Sequence, residues 1–108
     1  MLDREFFLGF VKCHILYHAS KEPVFGAEMA EELKRHGYDF GPGSLYPTLH
    51  RLESEGYLKQ QPKVVGGKVR KYYTITEQGL EALNEARRKI RELVDEVLED
   101  RYHKEASR

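Results

Sequence analysis

Apolar residues recur along this chain in three rhythms, and each rhythm predicts a different kind of element. Between Asp3 and Ala19, Phe6, Phe10, Cys13, Leu16 and Tyr17 fall at helical spacing, while Phe7, Val11 and Ile15 add a second apolar side. Asp3 can cap this helix. Pro23 disfavours helix before it, so the end is expected near Ala19. A helix apolar on two sides needs two partners, one of which can be another subunit.

The next segment, FGAEMAEELKRHG, carries Ala27, Met29, Ala30 and Leu33 on one side. Its acids come early and Lys34, Arg35 and His36 late, as the helix dipole favours, and Gly37 is a natural stop. YDFGPG then makes a short irregular connection before SLYPTLHRLESEG, where Leu45, Leu49 and Leu52 mark a core face. Proline sits without penalty in a helix's first turn, so Pro47 predicts a start near Gly43 or Ser44. Ser44, Thr48 and Arg51 are then expected on the wet face.

From Gly56 the rhythm changes. YLKQQPKVV and KVRKYYTI are rich in β-branched and aromatic residues and flank Gly66 and Gly67, which predicts a hairpin. Pro62 places the first strand at an edge or breaks it. Thr76 then reads as the N-cap of one long helix of about 25 residues, on the order of 37 Å. Leu83, Ile90 and Val97 repeat every seven residues, and Leu80, Ala86, Leu93, Val94 and Leu98 widen the stripe. Such a helix outruns a small domain and calls for a second chain. The tail HKEASR is expected to fray.

Composition narrows the picture. The 108 residues suit one domain, and 40% hydrophobic content with twelve Tyr and Phe is too rich for a disordered chain. No apolar run approaches the roughly 20 residues a bilayer demands, so no membrane span is expected. The opening MLDREFFLGF carries acids and no cleavage pattern; no signal peptide is expected, and a cytoplasmic location is the default. Cys13 is the only cysteine, which excludes an internal disulfide and a cysteine-cluster zinc site. Eighteen bases balance eighteen acids, yet residues 40–76 hold six bases against two acids, net +4, while 1–39 and 77–108 are each net −2. The basic middle is a helix plus a hairpin, the two elements a winged helix-turn-helix presents to DNA. Lys and Arg that merely protect a sheet edge are the plainer alternative.

The run GPGSLYPTLHRLESEGYLKQQPKVVGGKVRKYYTITEQGLEAL resembles the PadR family of transcriptional regulators. The resemblance is carried by Gly43, Ser44, Leu45, Tyr46, Pro47, Leu49, Arg51, Leu52, Glu53 and Gly56, then by Tyr73, Ile75, Thr76 and Gly79. It extends back through Gly37 to Gly26, leaving the first helix and the tail loosely matched. Being short after the wing, the chain is similar to members with a single C-terminal helix. It departs where the family often has Gly-Tyr, since here Gly26 is followed by Ala27.

The expected fold is therefore mainly α with a small β-hairpin, a winged helix-turn-helix over 1–75 and a dimerisation helix with tail over 76–108. The resemblance implies a homodimer on a roughly palindromic double-stranded DNA operator, acting as a repressor. Ser44, Tyr46, Thr48, His50 and Arg51 are the candidates for the groove and its rim, and Lys68, Arg70 and Lys71 for the phosphate backbone. A core role packing against the wing is the alternative for Tyr46. Phe6, Phe10, Leu83, Ile90, Leu93, Val94 and Val97 are expected at the dimer interface. The family also implies release by a small aromatic or cationic effector. Phe6, Phe7, Phe10, Tyr17, Leu93 and Val97 are available to line its space, although plain dimer core is the favoured reading.

No catalytic constellation, cofactor or metal is expected. Two other classes remain open: a protein-interaction module that keeps the scaffold without binding DNA, and a metal-responsive regulator using His14 and His18, at i, i+4 beside Cys13. Two ligands without a third are weak support for the latter, and burial of Cys13 is favoured over a redox role.

Overall fold

A computed structural model describes residues 3–102; the tail expected to fray, 103–108, lies outside the described residues. Helix α1 spans Arg4–Lys21 and begins as expected, with the Asp3 carboxylate accepting from the Phe6 amide at 3.1 Å. It runs two residues past Ala19, because Pro23 forbids helix only from its immediate neighbour onward. One side of α1, Val11, Ile15, Leu16 and Ala19, is buried in the chain's own core; the other, Phe6, Phe7, Phe10 and Tyr17, is exposed.

Strand β1, Val24–Phe25, leads into α2, Gly26–Arg35. The helix stops at Gly37 in a closed turn, where the Tyr38 amide donates to the Leu33 carbonyl at 3.0 Å and the Gly37 amide to Lys34 at 2.9 Å. Helix α3 spans Pro42–Ser54, starting with a proline whose missing donor costs nothing there. Pro47 consequently lies in the helix interior rather than in the first turn, correcting the expected start. The carbonyl it leaves without an intrahelical donor is that of Gly43, and both Gly43 and Pro47 are exposed residues.

Strands β2, Leu58–Val65, and β3, Lys68–Ile75, pair antiparallel from Leu58↔Ile75 to Val65↔Lys68. Gly66 and Gly67 turn between them with φ of 58° and 79°, the pair of positive angles that a tight two-residue hairpin requires. The sheet has three strands in the order β1-β3-β2, so Pro62 does lie on an edge, and the hairpin gains a two-residue neighbour too short to leave a periodic signal.

Helix α4, Glu77–Leu93, continues into one π-helical turn, Val94–Leu98. Its start is locked to the end of α3. The Thr76 hydroxyl donates to the Gly56 carbonyl at 2.6 Å and accepts from the Gly79 amide at 2.9 Å. Gly79 presses on the Tyr57 carbonyl and the Ile75 side chain so closely that a Cβ there would collide with both. Leu45, Leu49 and Leu52 of α3 join Met29, Leu33, Leu58, Tyr73 and Leu83 in one core with the inner side of α1.

The seven-residue stripe of α4 leaves this core as the helix extends: Leu83 is 3% exposed, Ile90 45% and Val97 71%. Leu83 therefore belongs to the chain's own core, with little surface left for a partner to cover, because the first turns of α4 lie on α1 and the sheet. The radius of gyration, 16.3 Å, exceeds the roughly 13 Å of a compact chain of about 100 residues, as a projecting helix demands.

Thr76→Ala should lose about 1–2 kcal/mol of unfolding free energy with the cap, and Gly79→Ala about 1–3 kcal/mol through overpacking. Urea denaturation of both variants measures this; a Gly79→Ala variant as stable as the parent would contradict the junction.

Candidate nucleic-acid interface

With Leu45, Leu49 and Leu52 committed to the core, the helical period decides what α3 can show to the outside. Tyr46 and His50, one turn apart, form one exposed edge, and Arg51 with Ser44 the other. The expected wet residue Thr48 is instead buried, at 8% exposure, and its hydroxyl donates to the Ser44 carbonyl at 2.8 Å. The reason is its spacing: Thr48 stands three residues after Leu45 and four before Leu52, on the flank of the leucine stripe. Thr48 is thus removed from the candidate contacts.

Ser44 is half-buried, and its hydroxyl accepts from the guanidinium of Arg4, which also lies over the Phe40 ring at 5.4 Å. Helix α1 thereby holds the first turn of α3. Tyr46 is 49% exposed, so it is not a core aromatic. Its ring covers Gly26, where any side chain would collide with it.

The structure brings Tyr46 and His50 together with Arg70 and Lys71 around a cleft of about 530 Å³, closed at its base by Phe25, Gly26 and Tyr73. Strand alternation separates the wing cations: Lys68 and Arg70 lie on one face of β3, Lys71 on the other with Tyr73. Arg70 is partly packed, its guanidinium 4.7 Å from the centre of the Phe25 ring and its Nε buried without a hydrogen-bond partner. Such packing positions the guanidinium rather than consuming it, since a cation over an aromatic face keeps its edge donors. Lys68 and Lys71 are exposed, Lys68 beside the glycine turn. Lys63, opposite Arg70 in the register, approaches the Tyr72 ring at 5.5 Å; sequence reading counted its charge without naming it as a contact.

The expected interface residues fall on a different surface. Phe6 and Phe10 of α1 and Ile90 and Leu93 of α4 line an apolar groove of about 770 Å³, with Leu83 at its inner end. Tyr17 and Cys13 also line it, and burial pushes the Cys13 thiol up, away from reactivity. Phe7, whose ring lies 5.1 Å from that of Phe6, borders a separate cleft with Tyr38 and Phe40, and Val97 lies beyond the groove's lining. Val94 is half-buried. His14 and His18 line the groove together with His36, a residue that sequence reading treated only as a helix-end cation because nothing in the spacing links α1 to the end of α2. Among the described residues no helix is long and apolar enough to cross a membrane.

If Thr48 is core, Thr48→Lys should cost at least about 2 kcal/mol in urea denaturation through burial of an unpaired charge, whereas a wet position would change by no more than about 0.5 kcal/mol. The smaller change would return Thr48 to the exposed face.

Comparison with known proteins identifies the scaffold. Residues 15–85 match the family described as the transcriptional regulator PadR-like family. The chain is 49% identical to the transcriptional regulator Rv3488 of Mycobacterium tuberculosis over 100 residues, covering 93% of this chain and 94% of that one. Among solved structures it is similar to a PadR-like transcriptional regulator from Bacillus cereus, with a TM-score of 0.74 and 35% identity over 87% of this chain and 96% of that one. A PadR family transcriptional regulator from Eggerthella lenta gives a TM-score of 0.76 and 34% identity over 88% and 84%. These relatives are regulators rather than enzymes, and the two solved structures share this fold. With a leucine-striped α3, a glycine-turned wing and a threonine-capped last helix all inside the matched segment, the chain belongs to the PadR-like family of transcriptional regulators.

Proposed function

We propose that the chain is a homodimeric repressor that binds a palindromic double-stranded DNA operator with α3 in the major groove and the wing on the phosphate backbone. What carries this reading is the convergence of Tyr46 and His50 with Arg70 and Lys71 on one cleft, within a segment of net charge +4 in a neutral chain. Arg51 and Ser44 border the other edge of α3, where a guanidinium can meet guanine or a phosphate. Lys68, Arg70 and Lys71 supply affinity without sequence information.

The dimer rests on the second surface. Burying an apolar side chain such as Leu93 or Val97 fully is worth roughly 1.5–3 kcal/mol, and the far half of α4 offers several that its own chain leaves exposed. The groove between α1 and α4 is apolar and of the same chain, so a two-fold axis lets each far half of α4 cover the partner's groove. The space near that axis is also where a small aromatic or cationic effector would enter to release DNA.

Log affinity for an operator duplex should fall steeply with log salt, by fluorescence anisotropy in a salt series. The double variant Arg70→Ala with Lys71→Ala should flatten that slope by roughly one unit per lost phosphate contact. Salt-insensitive binding, or none to any duplex, would favour an interaction module instead. Ile90→Asp puts an unpaired carboxylate into the seam and should convert dimer to folded monomer in sedimentation. A variant that sediments as a dimer would mean that the chains pair elsewhere.

A further inference from the structure

Three imidazoles that are distant in sequence meet where α1 passes the end of α2. His14 and His18 project from α1 one turn apart, and the turn closed at Gly37 holds His36 against them, its ring 4.5 Å from that of His14. One ligating nitrogen of each lies within 4.8 Å of the others. Glu32, one turn before His36, adds a carboxylate: its Oε2 is 3.7 Å from His18 Nε2 and 3.4 Å from His36 Nε2, while Oε1 takes Arg35 at 2.6 Å.

We propose that His14, His18 and His36 form a site for one divalent late transition-metal ion, zinc being the best match, with Glu32, which lies beside His18 and His36 only, turning in as the fourth donor. Imidazole nitrogen with a carboxylate oxygen is a donor set that zinc accepts in tetrahedral geometry, at about 2.0–2.2 Å per bond. That geometry sets donors about 3.3 Å apart, so the nitrogens need close by no more than about 1.5 Å, within reach of side-chain rotation at a half-exposed site. Burial, together with His36 and His18, holds His14 below its ordinary value and so favours the neutral ring that binds metals.

An ion here would tie α1 to the last turn of α2, the helix that leads into α3. The site is built within one chain and stands whether or not the chain binds DNA.

The test uses the full chain, free of any purification tag and stripped with a chelator, titrated with zinc by calorimetry and followed by thermal melting. One ion per chain should bind at micromolar protein and raise the melting temperature. His36→Ala should weaken binding by more than about 100-fold, since losing a ligand outweighs the roughly 10–100-fold cost of losing an outer partner. The metal-free melt should hardly change, and His18→Ala serves in its place should that variant not fold. No zinc binding at micromolar protein, one ion per two chains, or an affinity that survives both substitutions would overturn the site.

Discussion

A single hydroxyl, that of Thr76, ties the three working parts of this chain together. It donates to the carbonyl that ends α3 and accepts from the amide that opens α4, while Gly79 lies against the first residue after the α3 stop. Helix α3, the wing and α4 therefore leave one junction at fixed angles. Any two-fold pairing through α4 sets the distance between the two copies of α3, because no flexible linker intervenes between them. A loop in place of this knot would leave that distance undefined.

The second constraint is where the apolar stripe of α4 goes. Its first part is consumed by the chain's own core at Leu83, and its remainder, from Ile90 onward, emerges beside the outer face of α1. Helix α1 faces the same division, with Ile15 and Leu16 inward and Phe6 and Phe10 outward. Two helices with spare apolar faces, adjacent on one side of the molecule and opposite in character to the basic wing, separate an apolar surface from a charged one. A chain with no net charge can thus still present a basic head, and a whole-chain count would miss it.

Much of this was legible in the sequence for identifiable reasons. The leucine spacing of α3, the stop at Gly37, the paired glycines of the wing and the Thr76 cap each rest on local backbone chemistry, which neighbouring residues decide. What was misread depends on tertiary context. Thr48 is polar but flanks the stripe, so the core claims it; Pro47 lies inside α3 on its exposed side, as does Gly43, whose carbonyl it leaves unpaired. Leu83 shares a heptad with Ile90 and Val97, and only the contact of α4 with α1 decides where core ends and free surface begins. His36 joins His14 and His18 by folding alone. The resemblance to the PadR pattern named the scaffold, yet it carried no information on which α3 residues are buried here.

Selection of bound duplexes from a random pool tests the central claim most directly, because one result reports DNA binding, site symmetry and half-site spacing. Two inverted half-sites whose centres lie about one helical turn, roughly 10 base pairs, or a whole multiple of it apart are predicted for paired heads on a two-fold axis. Enrichment of no sequence, or of a lone half-site without an inverted mate, would contradict a twinned reading head.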